Sequence, residues 1–145
     1  MGRFRILQTD DIDKVRELDA FAFPGIKFPA DGEDHTWWLI HDSEQPGKIA
    51  GYCGAVYRPA HGYVYMSRAA VAAYAQGKGL QRRMIRVRER WARKQGANRV
   101  ITYTMLKNYD SICNLLKCGF RFDNPPEERQ YIGDDVHYFK KVLMQ

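Results

Sequence analysis

Apolar and polar positions alternate through Arg3-Phe4-Arg5-Ile6-Leu7, the spacing of a short, half-buried strand. Thr9-Asp10-Asp11, residue types that cap helices, then precede Ile12, Val15 and Leu18 at three-residue steps, which predicts a helix. From Phe21 to Asp34 the period is interrupted by Pro24, Gly25, Pro29 and Gly32. That segment is expected to be irregular, with Phe21, Phe23 and Phe28 available to line a pocket. Thr36 to His41, holding Trp37-Trp38-Leu39-Ile40, and Lys48 to Tyr57 read as two strands around a turn at Asp42-Ser43-Glu44-Gln45-Pro46-Gly47. A second turn, Arg58 to Gly62, leads into a strand from Tyr63 towards Val71, so three antiparallel strands follow in series.

At Leu80 the period changes. Leu80, Met84, Val87 and Trp91 recur at helical steps, and Gly96 offers a left-handed stop. Arg99 to Thr104 reads as a β-branched strand, and Ser111 to Lys117 as a helix ending before Gly119. A turn at Asp123 to Glu128 and a final strand through Val136-His137-Tyr138-Phe139 complete the pattern, with no internal repeat.

A chain of 145 residues with 45% hydrophobic content is expected to form a single domain over 1–145 with a real core. The opening residues contain no stretch of signal-peptide type, and no run of about 18 apolar residues occurs. No membrane association is expected, and the cytoplasm is the expected location. Cys53, Cys113 and Cys118 are odd in number and form no CxxC pair, which fits a reducing compartment. The four histidines lack metal-ligand spacing, so no metal is expected.

The net charge of +6 and pI near 9.3 attract an anion without saying which. Much of the charge lies between Lys78 and Lys94, with Arg82, Arg83, Arg86, Arg88, Arg90 and Arg93. A strand, the loop Gln76-Gly77-Lys78-Gly79-Leu80-Gln81 and a helix follow one another here. The first N–H groups of a helix have no intrahelical partner, and the helix dipole adds positive potential at that end. Gly77 and Gly79 admit close approach of a phosphate, and Lys78 adds charge. The loop lacks the ending of a triphosphate-binding P-loop and the third glycine of a dinucleotide fingerprint. An ordinary tight turn remains an alternative on these residues alone.

The loop and its surroundings resemble the GNAT (N-acetyltransferase) superfamily. That family has a valine at the end of its fourth strand, then Gln or Arg, two residues, Gly, one residue, and Gly or Ala. Val71, Gln76 and Gly79 match, and Gln81 departs where a small residue is usual. A second signature matches at Asn108, Ser111 and Lys117-Cys118-Gly119-Phe120: asparagine, a small residue three positions on, and a helix ending in Gly-Phe. The resemblance implies an α/β fold with a mixed, mostly antiparallel sheet flanked by helices, whose fourth and fifth strands splay apart. It also implies acetyl-CoA as co-substrate, its pantetheine arm between those strands. Ala69 and Val71 would bond the arm through their backbone. Gln76, Gly77, Lys78, Gly79, Leu80 and Gln81 would hold the pyrophosphate, with Arg82 and Arg83 near the adenosine phosphates. Asn108 would meet the arm near its thioester end, and Ser111 would also contact the cofactor. Arg86, Arg88, Arg90 and Arg93 are expected on a solvated face.

Acetyl transfer requires an uncharged amine, a donor for the oxyanion and an acid for the departing thiolate. Many family members place that acid at a helix tyrosine whose position is Leu115 here, and one branch uses a strand glutamate where Tyr103 stands. Tyr103 is therefore the candidate acid or oxyanion donor, beside Tyr109, Ser111 and Cys113. Glu33, Asp34 and His35, or a positioned water, are candidates for the base. The expected function is acetyl-CoA-dependent N-acetylation of a small-molecule or peptide amine by direct attack on the thioester. A catalytically silent CoA-binding module is the alternative. A nucleic-acid partner for the basic helix has weaker ground, since no reading motif accompanies it.

Overall fold

The computed structural model describes residues 2–125 and 135–143. Its elements run β1 (Phe4–Thr9), α1 (Ile12–Ala22), β2 (Thr36–Asp42), β3 (Ile49–Arg58), β4 (Tyr63–Val71), α2 (Leu80–Gln95), β5 (Arg99–Met105), α3 (Tyr109–Lys117), β6 (Arg121–Asp123) and β7 (Val136–Val142). The strands form one sheet in the order β1-β2-β3-β4-β5-β7-β6, and among the described residues only β4 and β5 pair in parallel. The parallel pair needs a crossover, which α2 supplies. The mixed, mostly antiparallel sheet flanked by helices agrees with the expected fold class.

The consecutive apolar run in β2 follows from helices on both faces of the sheet. Trp38 and Ile40 join Leu80, Met84, Ile85 and Ala92 of α2 and Leu115 of α3 in the larger core. Trp37 and Leu39 turn the other way and pack with Tyr52 and Val15 of α1. Local signals set the helix ends. Asp11 accepts from the Lys14 N–H at 3.1 Å, and Gly96, at φ +87°, closes α2 in the left-handed conformation.

Two boundaries differ from the sequence reading. Helix α3 starts two residues earlier, because Asn108 caps it by accepting from the Ser111 N–H at 3.3 Å. Arg121–Asp123, to which the sequence reading assigned no strand, pairs with β7, with Phe122 opposite Phe139. The turn read at Asp123 to Glu128 lies partly outside the described residues.

The outer edge is fastened at Asp42, a buried carboxylate at the end of β2. Arg3 grips both its oxygens, Nε to Oδ1 at 2.8 Å and Nη2 to Oδ2 at 2.9 Å, while the Tyr74 hydroxyl donates at 2.9 Å and the Glu44 N–H at 3.0 Å. These bonds, Arg3 first, outweigh desolvation and hold the carboxyl well below the usual carboxylate range. The folded protein thus protonates Asp42 less readily than the unfolded chain does. Its contribution is complete above the unfolded pKa, about 3.9, and fades as pH falls below it. Asp42→Asn is expected to lower the thermal unfolding midpoint at pH 7, and its deficit relative to wild type should shrink between pH 4 and pH 3 in parallel melts.

Candidate active site

Strand β4 is bonded to β3 along most of its length but to β5 only from Tyr63 to Tyr65, opposite Arg99 to Ile101. Beyond that point the Thr102 hydroxyl donates to the Met66 carbonyl at 2.8 Å, and the two strands part. On its other side β4 carries a bulge. Cys53 faces Ala69 and Ala55 faces Met66, so Gly54 stands opposite both Ser67 and Arg68. Trp37 closes over this point, since a Cβ on Gly54 would lie 2.4 Å from its ring.

The parting encloses a cavity of about 380 Å³. Met66, Ser67, Arg68 and Ala69 of β4 form one wall and Thr102, Tyr103, Thr104 and Met105 of β5 another. Gln81, Ile85 and Arg88 enter from α2, and Asn108, Ser111, Asn114 and Leu115 from α3 and its cap. Phe23 and Ile26 reach in from the segment after α1.

Gln81 also belongs to the first turn of α2, so the cavity opens towards that helix end. Gly77 and Gly79 both sit at φ +78°, where a side chain would be strained although a Cβ at either position would meet nothing within 4 Å. The need for glycine here is conformational. Gly79 is the N-cap and contributes no side-chain bond, and the first bond into the helix runs from the Arg83 N–H to the Gly79 carbonyl at 3.2 Å. The N–H groups of Leu80, Gln81 and Arg82 therefore have no intrahelical acceptor.

Of the residues singled out from sequence, Ala69, Gln81, Tyr103, Asn108 and Ser111 line the cavity. Val71, Gln76, Gly77, Lys78, Gly79, Leu80 and Arg82 lie outside its walls, in the stretch leading into α2 and its first turn. Gln76 holds the strand end by donating to the Val71 carbonyl at 3.2 Å. The Leu80 side chain is in the core, so only its backbone is available to a ligand. Arg82 donates to Asn114 Oδ1 at 3.0 Å, tying α2 to α3. Tyr103 is half-buried, stacked on Tyr65 at 6.1 Å and tilted against Tyr138 at 6.2 Å between ring centroids. Leu115 lines the cavity where the resemblance expected an acid.

The remaining arginines of α2 divide. Arg83 donates to the Phe4 carbonyl at 2.9 Å, and Arg93, exposed as expected, donates to the Leu143 carbonyl at 3.0 Å, so both brace the sheet. Arg88 is not on a solvated face but is 3% exposed, beneath the sheet. Glu33, Asp34 and His35 are absent from the cavity walls. Glu33 pairs with Arg16 at 3.1 Å, and the His35 imidazole Nδ1 lies 2.9 Å from the Asp31 carbonyl. Among the aromatics expected to line a pocket, Phe23 does so, while Phe28 stacks on Trp37 at 5.3 Å and Phe21 is exposed.

Sequence reasoning missed Ser67 and Thr104, cavity-lining residues whose hydroxyl oxygens are buried without a hydrogen-bond partner among the described residues. A serine and a threonine within strand patterns carry no signal of their own. It also missed a buried polar unit: the Tyr52 hydroxyl donates to Asp19 Oδ1 at 2.5 Å, and Arg68 Nε lies 3.3 Å from the same oxygen. Burial first, and the Asp19 carboxylate second, push the Tyr52 phenol far above its ordinary pKa, so it remains the donor. Burial likewise pushes the Cys53 thiol up to about 11, with the Arg88 charge opposing, so Cys53 is a neutral core thiol.

The family model for acetyltransferases of the GNAT family matches residues 6–120, a span that contains the bulge, the glycine loop and the end of α3. The chain belongs to the GNAT acetyltransferase family. No curated protein matches its sequence. Solved structures share the GNAT fold at low identity. An IAA acetyltransferase from Bacillus cereus is 17% identical, with 97% of this chain and 99% of that chain covered and a TM-score of 0.79. A Bacillus subtilis acetyltransferase solved in complex with CoA is 19% identical over 97% and 99%, with a TM-score of 0.78. A spermidine N-acetyltransferase from Vibrio cholerae, described as dodecameric, is 13% identical over 97% and 94%, with a TM-score of 0.74. Among the described residues, no helix is long and apolar enough to cross a membrane.

Tyr52→Phe removes the hydroxyl bond to a buried carboxylate and should cost about 1–3 kcal/mol of stability, read by urea unfolding.

Proposed function

We propose that this GNAT acetyltransferase binds acetyl-CoA along the open edge of β4 and transfers the acetyl group to the amine of a small molecule or peptide. The observation that carries this is one continuous path. The unpaired helical N–H groups behind Gly79 lead past Gln81 into a cavity bounded by two strands that have stopped pairing.

The chain's own groups fit such a ligand. The backbone from Gly77 to Gln81, with Lys78 and Arg82, would face the pyrophosphate, and Gln76 would steady the loop. Ala69 and Val71 would offer backbone groups to the pantetheine amides, and Asn108 and Ser111 would approach from α3. Acetyl-CoA supplies an activated acyl carbon, so no covalent enzyme intermediate is required. Ser67 and Thr104 present unsatisfied hydroxyls in the cavity, where a developing oxyanion or thiolate needs donors. Tyr103, from β5, would protonate the departing sulfur or share the oxyanion. A positioned water is left as the route for the amine proton, because the carboxylates proposed from sequence do not line the cavity. The net charge of +6 favours a neutral or acidic acceptor over a polycation. Three free cysteines fit a reducing compartment such as the cytoplasm.

The first test is calorimetric titration with CoA, followed by acetyl-CoA turnover on peptides, aminoglycosides, polyamines and amino acids, read as released thiol. Absence of CoA binding would remove this reading. Gly79→Val forces a β-branched residue into the left-handed region and should weaken CoA binding at least about tenfold while circular dichroism is retained. Tyr103→Phe should lower kcat about a hundredfold with little change in the KM for acetyl-CoA, and unchanged turnover would eliminate its role.

A further inference from the structure

Helix α2 turns one stripe of residues onto the sheet, and its buried members are Leu80, Met84, Ile85, Arg88 and Ala92. Arg88 thus occupies a position where the helical period calls for an apolar side chain. A guanidinium taken out of water needs hydrogen bonds and a counter-charge. Arg88 has some of the first: Nε donates to the Met84 carbonyl at 3.2 Å and Nη1 to the Gly54 carbonyl at 3.3 Å. Among the described residues it has no carboxylate partner, unlike Asp42, which is gripped by Arg3, and Asp19, which lies beside Arg68. A guanidinium carries five N–H donors, and two are accounted for. The side chain also lines the cavity, together with Met66, Ser67, Thr102 and Thr104.

We propose that Arg88 receives a carboxylate at the far end of the donor's acyl chain, so that the protein prefers CoA monothioesters of dicarboxylic acids, of the succinyl type, to neutral acyl groups of the same length. The inference rests on the CoA reading above. The donor side of the cavity is chosen over the acceptor side because Arg88 projects from α2, whose first turn would hold the pyrophosphate. The opposite side is served by Arg68, whose charge is answered by Asp19 and which also donates to the Lys27 carbonyl. Carboxylate is the matching anion, since a planar fork of donors pairs with two oxygens in one plane. A methyl group in the same place leaves the buried charge unanswered. The transfer step is unaltered. The amine nitrogen bonds to the thioester carbon and the carbon–sulfur bond breaks. Sulfur leaves with the electron pair and ends protonated by the proton the amine releases. The distal carboxylate takes no part in bond making.

The experiment compares binding of CoA, acetyl-CoA, butyryl-CoA and succinyl-CoA to the purified protein by calorimetry, without acceptor. Butyryl and succinyl chains have equal length and differ in a terminal methyl against a carboxylate. Succinyl-CoA is expected to bind at least tenfold tighter than butyryl-CoA. In Arg88→Met the ratio should fall to one or below, and in Arg88→Lys, which keeps charge but loses the fork, it should lie between. The wild-type ratio decides even if Arg88→Met does not fold. Equal or weaker binding of succinyl-CoA while CoA itself binds overturns the proposal alone, as does a preference that survives in Arg88→Met. Failure of every CoA species to bind overturns the underlying reading instead.

Discussion

Strand β4 cannot satisfy both of its edges. It is held by β3 along most of its length, whereas its parallel contact with β5 lasts three residues. Parallel pairing obliges the chain to cross over through α2, and the crossover starts where the pairing with β5 has already failed. The open strand edge, the cavity and the uncapped helix end thereby become neighbours. The glycine loop matters because of this placement: Gly77 and Gly79 let the chain reverse from β4 into a helix whose first N–H groups stay available.

The bulge opposite Gly54 distributes charge across the sheet. On the α1 side Arg68 is matched by Asp19, itself held by Tyr52. On the α2 side the Gly54 carbonyl accepts from Arg88, whose charge has no such match among the described residues. One irregularity of a single residue therefore sits between a neutralised cation and an unneutralised one. A cavity walled this way is apolar along most of its lining and strongly directional at one point.

The elements with clear periods were readable from the chain. The cap at Asp11, the stop at Gly96 and the double-faced run in β2 all act within a few residues of where they are written. The stop at Gly119 located α3 from Ser111 to Lys117, although its first turn begins at Tyr109 under the Asn108 cap. What was not legible depends on partners distant in sequence. Arg88 reads as one more charge on a basic helix until the fold shows that its side faces Gly54. Ser67 and Thr104 become notable only because two strands diverge between them. Glu33 is engaged by Arg16 and His35 by Asp31, contacts that no local pattern announces.

The arginines of α2 give the basic composition a different meaning. Arg83 reaches the carbonyl of Phe4 in β1, and Arg93 reaches that of Leu143, just past β7. One helix is thus pinned near each end to opposite flanks of the sheet, like a crossbar braced between two uprights. The helix that begins at the Gly79 loop is thereby fastened to parts of the sheet that do not line the cavity.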